Sequence, residues 1–446
     1  MPTSSPALLA LTARLLGTSV GQATTRRGFL ALMARPLPIG GVEAMAAREP
    51  ARIAHPESHP LSDYAVSIDP LAEGPLSGEQ VVVKDTFDVA GLPTLLGLDR
   101  ELLEGDHHRV EHDAELVKRV RQAGGRIRGK ARMTELGMDG IGALMPGTMP
   151  DNDLSPGYIP GGSSTGTAVA VAQGLARYGV GGDGLGSVRI PAAFQGLVGL
   201  KPSLGTLPSR GYRSVAPTMD VPGPMARDVA DCVRLYQVLA ALPVAPITAH
   251  VPASVGLIAG LGPDLACADQ RRAFHRMLDV AGVPRRLVQV EGADRHAAFA
   301  VACSTAELAK SEYASRTRSG QGLLNVVLGR AMGEHPMEAD REALRRALLS
   351  ALEQVEVLAM PTTAIPAPAI TKALLAGGQD IMLLRAIGAY TPLANLTGFP
   401  AISVPSGRDA RGRALGLMLM GAPGSELKLL AMAAALEATE LGARSI

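Results

Sequence analysis

The chain has 446 residues and a formal net charge of +1, and 47% of its residues are hydrophobic. Its length allows a large buried core, whereas its near-neutral charge argues against a surface that binds nucleic acid or an anionic membrane. No run approaches the roughly 20 apolar residues that a membrane-spanning helix needs. The three cysteines, Cys232, Cys267 and Cys303, are odd in number and widely spaced. They predict buried thiols in a reducing, cytoplasmic compartment, without a disulfide framework or a zinc site.

The first 72 residues predict a helical N-terminal region that packs on the rest of the protein. Residues 7–16 have the pattern of an amphipathic helix. Residues 25–30, with the sequence TRRGFL, resemble a twin-arginine export motif, but Arg35 and Pro36 interrupt the apolar stretch that follows. We therefore favour packed helices over an export signal, and we take residues 73–446 as the main domain.

Strand and helix patterns alternate from residue 80 to residue 200. The predicted elements are a strand that ends at Lys84, a helix over 113–124, a strand from 126, a loop-rich stretch over 138–159 that lines a cleft, a small-residue helix over 165–175, a glycine-rich loop over 179–188 and a short helix from 190. This alternation is typical of a sheet with helices on both faces.

The C-terminal half adds strands to the same sheet. Residues 224–355 have mostly helical patterns, whereas 355–363 predict a strand that enters a turn. Residues 400–405 and 415–420 predict a strand pair, and 426–439 predict a final helix. We therefore expect an α/β fold, a single large domain with a central mixed β-sheet covered by helices on both faces.

Lysine is rare in this chain, which has seven lysines and, by subtraction from 43 basic residues, 36 arginines. Arginine stays protonated in proteins, whereas a desolvated lysine can lose its proton and act as a base. Lys84 follows three valines and is the lysine best placed for desolvation. The alternative is a lysine at a strand end that faces solvent.

Two serines lie in glycine-rich turns between residues 160 and 202. Ser163 and Ser187 are 24 residues apart, with a small-residue helical run between them. Glycine turns let the backbone approach a substrate closely and direct N–H groups toward it. Each serine is therefore a candidate nucleophile, provided that a base lies nearby.

Other hydrolase motifs fit the sequence less well. Ser164 lies in a G-x-S-x-G pentapeptide, but this nucleophile elbow needs a preceding strand and a late histidine. Residues 154–160 contain two prolines, and the last histidine is His335. The S-x-x-K match at Ser425 and Lys428 lies on a predicted surface helix without the companion motifs of penicillin-binding enzymes, so we interpret it as structural.

Metal and phosphate sites are also disfavoured. His107, His108 and His112 have a spacing close to that of metal ligands, but they lie in a polar stretch that predicts a solvated surface. No G-x-x-x-x-G-K-[ST] loop occurs in the sequence. We therefore expect neither a metal nor an organic cofactor.

Three features follow one another along the chain: Lys84, the G-G-S-S turn of 161–164, and the G-x-D-x-x-G-S loop that ends at Ser187 and continues into R-I-P. In their residues and their order they resemble the motifs of the amidase signature family of serine hydrolases. The resemblance extends over about 74–231 and returns at 360–369, 390–405 and the final helix. Departures from the family pattern are Thr165 and Thr167 after the first turn, Gly182, Gly184 and Leu185 in place of residues of G-T-D-T-G-G-S, Gln195 in place of a frequent cysteine, and Ser203 in place of a threonine.

The resemblance implies a triad of Lys84, Ser163 and Ser187, with Ser163 joined to the preceding glycine by a cis peptide. It also implies that Ser187 forms an acyl-enzyme. Backbone N–H groups of Gly184, Leu185, Gly186 and Ser187 would then hold the oxyanion.

The implied substrate is an uncharged small amide, with esters and carbamates as further candidates. The expected partner is thus a small molecule, with no nucleic acid and no membrane, and the protein is expected to be a monomer or homodimer. Two alternatives remain open, namely a glutaminase-type subunit of a tRNA-dependent amidotransferase and a catalytically inactive amidase-like binding module.

Overall fold

The described residues of the computed structural model form one mixed sheet around which the helices pack. The structure describes residues 37–49, 59–62, 67–98, 110–317, 319, 325–326, 328–330, 337–375 and 380–439. The strands are β1 (Gln80–Lys84), β2 (Arg126–Ala131), β3 (Tyr178–Asp183), β4 (Val198–Lys201), β5 (Val221–Ala226), β6 (Val255–Ile258), β7 (Arg285–Val288), β8 (Val357–Pro361), β9 (Ala401–Arg408) and β10 (Ala414–Met420).

Their order in the sheet is β2-β1-β3-β5-β4-β9-β10-β8-β6-β7. Both ends of the sheet are parallel, since β1 pairs with β2 and β3, and β6 pairs with β7 and β8. The pairings from β3 through β5, β4, β9 and β10 to β8 are antiparallel. The expected mixed sheet is therefore confirmed.

Helices cover both faces of this sheet. The described α-helices are α1 (Ile39–Ala47), α2 (Glu115–Gln122), α3 (Thr165–Ala172), α4 (Arg189–Phe194), α5 (Val229–Leu239), α6 (Ala268–Val280), α7 (His296–Lys310), α8 (Glu338–Leu352), α9 (Lys372–Leu375), α10 (Ile381–Ile387), α11 (Pro392–Thr397) and α12 (Glu426–Glu437). Side chains alternate along a strand, and in β8 Leu358 and Met360 pack with α7, α8, α10 and α11, whereas Val357 and Ala359 pack with α2, α5, α6 and α12. The single domain with helices on both faces is thus confirmed.

The glycine-rich segment after α3 differs from its prediction. Residues 178–183 form β3, between β1 and β5, so the expected loop is confined to the residues after Asp183. A Cβ atom at Gly179 would lie 2.7 Å from Thr167 Cγ2, and one at Gly181 would lie 2.8 Å from Ser164 Oγ. These glycines therefore serve the close packing of α3 on the sheet and not a turn.

Three strands in the region from 221 to 288 were not predicted. β5 contains Pro222 and Pro224, which normally argue against a strand in the middle of a sheet. β6 and β7 have only four residues each, and β7 is an edge strand that exposes Arg285 and Arg286. Such short strands leave little periodic signal in a mostly helical region, so the prediction for 224–355 was wrong at these segments.

The described part of the N-terminal region supports packing on the core. Val42 and Met45 of α1 belong to the hydrophobic cluster on the α7 face. Arg413 donates to the carbonyl oxygen of Ala46 at 2.9 Å. Residues 7–16 and 25–30, which carry the other N-terminal predictions, lie outside the described residues.

Candidate active site

Lys84 lies at the end of β1 with only 4% of its surface exposed. Its Nζ donates a hydrogen bond of 2.7 Å to Ser163 Oγ and one of 3.3 Å to the carbonyl oxygen of Gly182. The preceding valines are also buried, which places the ammonium group in the sheet and not in solvent. The prediction of a desolvated lysine is therefore confirmed.

This environment changes the acidity of the lysine. Burial lowers the pKa of Lys84 from 10.5 to about 8, against the opposing effect of the negative charges of Asp220 and Asp183. A measurable fraction of the lysine is thus neutral near pH 7, and neutral lysine can accept a proton from the hydroxyl that it contacts.

Ser163 lies in a turn held by the loop that follows β2. The Gly162–Ser163 peptide is cis, as the resemblance implied. The Gly162 N–H donates to the carbonyl oxygen of Gly140 at 2.9 Å, and a Cβ atom at position 162 would lie 2.5 Å from Asp139 O. The buried Asp139 carboxylate in turn accepts the N–H groups of Ile141, Gly142, Ala143 and Leu144. This network fixes the turn against Lys84.

Ser164 has a structural environment. Its Oγ donates to the carbonyl oxygen of Gly182 at 3.1 Å and lies 3.3 Å from the N–H of the same residue. The Ser164 N–H donates to the Ser187 carbonyl oxygen at 3.2 Å, and its side chain is fully buried. Ser164 therefore joins α3 to β3, and the preceding residues 154–160 form no strand. The nucleophile-elbow alternative lacks its structural context.

The loop from Asp183 to Ser187 is organised by one buried carboxylate. Asp183 Oδ1 accepts the Gly186 N–H at 2.7 Å, and Oδ2 accepts the Val188 N–H at 3.1 Å. Arg189 forms a two-pronged ion pair with the same carboxylate, at 3.0 Å and 2.9 Å. Burial alone would raise the pKa of Asp183, but the charge and hydrogen bonds of Arg189 hold it well below its usual value.

This arrangement corrects one expectation from the sequence. The Gly186 N–H is engaged by Asp183 and is not available to an oxyanion. By contrast, the N–H groups of Gly184, Leu185 and Ser187 donate no hydrogen bond within the described residues. Position 186 requires glycine for a structural reason, because its φ is +123° and a Cβ atom there would lie 2.3 Å from Thr391 Oγ1.

One cavity brings the predicted residues together. Lys84, Ser163, Gly184, Leu185 and Ser187 all line it, and its volume is about 90 Å³. The remaining wall is largely apolar and includes Leu96, Met133, Leu136, Met138, Ile190, Val215 and Ala216. Since Met138 and Gly140 contribute to it, the expectation that 138–159 borders a cleft is confirmed at these residues.

The sequence did not assign roles to several residues that hold the site. Thr391 Oγ1 donates to the Leu185 carbonyl oxygen at 2.7 Å, and Asn395 Nδ2 donates to the Asp183 carbonyl oxygen at 2.7 Å. Both lie in the stretch 390–405, which carried the family resemblance without assigned side-chain roles. Asp220 and Tyr212 were missed entirely, because neither lies in a motif.

The residues of the motifs that the sequence disfavoured have the contacts or exposure of structural and surface side chains. Lys428 is half-exposed and forms an ion pair with Glu356, and Ser425 Oγ donates to the Ala422 carbonyl oxygen. His112 is exposed, while His107 and His108 lie outside the described residues. Among the residues that the structure describes, no group of three or more acidic, cysteine or histidine side chains could hold a metal ion.

The three cysteines are buried and form no disulfide within the part of the chain that the structure describes, as predicted. Within the described ranges, every helix is too short or too polar to cross a bilayer.

Comparison with known proteins shows the family of this chain. The family model Amidase matches residues 63–315 and 304–430. The chain belongs to the amidase family. It is 31% identical over 420 residues to AmiA2 of Mycobacterium tuberculosis (strain H37Rv), which is named as an amidase, with 85% of this chain and 83% of that protein covered.

Two other relatives show the breadth of the family. The chain is 31% identical over 421 residues to one subunit of the Glutamyl-tRNA(Gln) amidotransferase of Natronomonas pharaonis, covering 83% of this chain and 97% of that protein. A crystal structure of an amidase superposes with a TM-score of 0.72 at 31% identity, covering 82% of this chain and 86% of the other. Membership in this hydrolase family is clear, and AmiA2 and the amidotransferase subunit have the same 31% identity to the chain.

Proposed function

We propose that the protein hydrolyses a small uncharged amide through an acyl-enzyme on Ser187, with Lys84 and Ser163 as a proton relay. The observation that carries this proposal is the 2.7 Å hydrogen bond between Lys84 Nζ and Ser163 Oγ, inside a cavity that Ser187 also lines. A serine needs such a base, because its hydroxyl is a weak nucleophile at neutral pH.

The first half-reaction forms the acyl-enzyme. Ser187 passes its proton to Ser163 as its Oγ attacks the amide carbon, while Ser163 passes its own proton to neutral Lys84. The tetrahedral intermediate carries a negative oxygen, for which the N–H groups of Gly184, Leu185 and Ser187 are the proposed donors. In other enzymes, removal of one such donor slows kcat by about 10²–10³.

The first half-reaction ends when the amine leaves, and deacylation by water then follows. Protonated Lys84 gives its proton back through Ser163 to the leaving nitrogen, so that the C–N bond breaks and an amine departs. Water then attacks the ester carbon of acylated Ser187, and its proton follows the same relay. Lys84 then returns this proton through Ser163 to the Ser187 oxygen as the ester C–O bond breaks and the acid is released. The amine thus carries away the first proton of Ser187, and the water supplies its replacement.

The cavity favours a small substrate without charge. Its volume of about 90 Å³ is well below the ~300 Å³ at the lower end of ligand pockets, and apolar side chains form most of its wall. Arg213, which also lines it, is already paired with Asp88 at 2.8 Å. An aryl or alkyl amide fits this lining, and esters or carbamates with the same acyl groups are further candidate substrates.

A covalent probe tests the nucleophile directly. Incubation with a fluorophosphonate, followed by peptide mass spectrometry, should place the label on Ser187, and Ser187→Ala should remove both the label and the hydrolysis of an aryl amide. Ser425→Ala is the matched control, because its hydroxyl belongs to the S-x-x-K match outside the cavity. A label on Ser164, or unchanged hydrolysis by Ser187→Ala, would refute the assignment. A protein that is neither labelled nor active would favour the inactive binding module.

The likeness to an amidotransferase component supports a second candidate, an ammonia-supplying subunit that works with partners. We expect the purified chain alone to hydrolyse an aryl amide, and EDTA to leave the rate unchanged. Activity that is seen only with a second subunit, ATP and tRNA would favour the amidotransferase instead. The two outcomes differ even if the same serine reacts in both.

A further inference from the structure

Two glycines beside the site leave space that neighbouring side chains fill. A Cβ atom at Gly182 would lie only 2.1 Å from the Tyr212 hydroxyl oxygen, so no other residue fits there while Tyr212 keeps its position. A Cβ atom at Gly184 would lie 3.6 Å from Cγ of Asp220, in ordinary contact. These are two of the positions at which the chain departs from the family pattern.

Tyr212 and Asp220 form a pair across this space. The Tyr212 hydroxyl donates to Asp220 Oδ1 at 2.6 Å. Tyr212 is buried, and Asp220 lines the cavity together with Lys84. The pair therefore reaches from the strand that carries Gly182 to the cavity of the lysine.

Backbone pairing fixes both members. Residues 211–213 lie beside 86–88, directly after the strand of Lys84, through hydrogen bonds of 2.9 Å between Asp88 N and Gly211 O and between Arg213 N and Thr86 O. The Tyr212 ring also packs on Phe87, with centroids 4.9 Å apart. Asp220 directly precedes β5, whose first residue pairs with Asp183 at the end of β3.

We propose that Tyr212 and Asp220 are positioning residues for Lys84, which fill the space at Gly182 and Gly184 and place a carboxylate beside the lysine. The pair acts in two ways. Tyr212 supports the strand whose Gly182 carbonyl accepts a hydrogen bond from Lys84. Asp220 supplies negative charge that favours the protonated lysine and so sets the pH range in which the base is neutral. This inference rests on the function proposed for Lys84.

Other charged groups also lie near Lys84, and the experiment must separate their effect on the lysine from that of Asp220. The charge of Asp183 also raises the pKa of Lys84, but this carboxylate is engaged by Arg189. Arg213 lines the cavity, and its partner is Asp88. On the neighbouring strand β2, Lys130 pairs with Asp85 at 2.6 Å. Asp220 is thus the acidic group of the cavity whose removal leaves these ion pairs intact.

The first test is the pH profile of kcat/KM for an aryl amide. Asp220→Asn should move the acidic limb to lower pH by roughly one unit, because the lysine loses a nearby opposite charge. Tyr212→Phe keeps the charge and should leave the limb in place while lowering kcat about tenfold with little change in KM. Asp231→Asn is the matched control, since Asp231 is a buried carboxylate that pairs with Arg177 near the other end of β1 and β3. A folded Asp220→Asn enzyme with the wild-type limb would overturn the electrostatic role.

The second test examines the space beside Gly182 that the Tyr212 side chain fills. Gly182→Ala should reduce kcat strongly in the presence of Tyr212 and less in the Tyr212→Phe background, because the closest clash is with the hydroxyl. Equal losses in both backgrounds would overturn the space-filling role.

A third measurement needs no turnover. Asp220→Asn should lower the thermal midpoint more in the wild type than in Lys84→Met, because the lysine is the charge that it faces. Equal shifts would overturn the coupling. A wild-type protein without Ser187 labelling would refute the proposed function, and this measurement would still decide whether Asp220 and Lys84 interact.

Discussion

The buried lysine makes the pH dependence of hydrolysis a sharp prediction. With a pKa of about 8, Lys84 is about 90% neutral at pH 9, about 9% neutral at pH 7 and about 1% neutral at pH 6. If the neutral amine is the base, kcat/KM should fall close to tenfold between pH 7 and pH 6 and reach a plateau above pH 9. The limb belongs to the coupled relay with Ser163 and Ser187 and not to one isolated group.

The assay is the hydrolysis of an aryl amide by the purified chain in buffers of constant ionic strength between about pH 5.5 and about pH 10, which covers both sides of the limb. Lys84→Arg is the informative variant, since arginine keeps the positive charge but cannot lose its proton. We expect Lys84→Arg to be as inactive as Lys84→Ala near neutral pH. Circular dichroism at each pH shows that the fold persists across the profile.

Two results would refute this reasoning. One is a rate that stays constant from pH 6 to pH 8 in a folded enzyme, since protonation of the lysine would then have no effect on the reaction. The other is a Lys84→Arg enzyme that keeps a large share of the wild-type rate. In either case Lys84 would provide positive charge, and the base would have to be another group.

Three further predictions concern stability and geometry. Lys84→Met should abolish hydrolysis but raise the free energy of unfolding by up to about 3 kcal/mol, because it removes the penalty of a lysine whose pKa falls from 10.5 to about 8. This gain should be full below pH 8 and vanish above pH 10.5 in thermal melts, since the folded state binds fewer protons than the unfolded state only between those values; a destabilised variant would contradict it. Ser164→Ala should cost about 1–2 kcal/mol in denaturant unfolding through its lost contacts with Gly182, yet leave fluorophosphonate labelling intact. Gly186→Ala should lower kcat about a hundredfold, because the new Cβ meets Thr391 and displaces the loop; a near-normal kcat would mean that the loop tolerates the shift.

The sequence by itself determined the features that depend on local pattern. Residues 400–405 and 415–420 predicted a strand pair, and the structure has β9 and β10 antiparallel, with Ser403 opposite Met418. The valines before Lys84 predicted its desolvation, because a strand that is apolar on both faces must be buried. The catalytic roles of Lys84, Ser163 and Ser187 stay predictions, although all three line one cavity.

The tertiary structure decided the contacts between distant segments. Thr391 reaches Leu185 across 206 residues of sequence, and Asn395 reaches Asp183 across 212. A side-chain hydrogen bond over such separations leaves no periodicity or spacing in the sequence, because it depends on how the sheet brings strands together. The same reason explains why Gly186 was assigned to the oxyanion before its N–H was found on Asp183. A motif determines which residues stand in the loop, but only the packed carboxylate determines where each N–H group points.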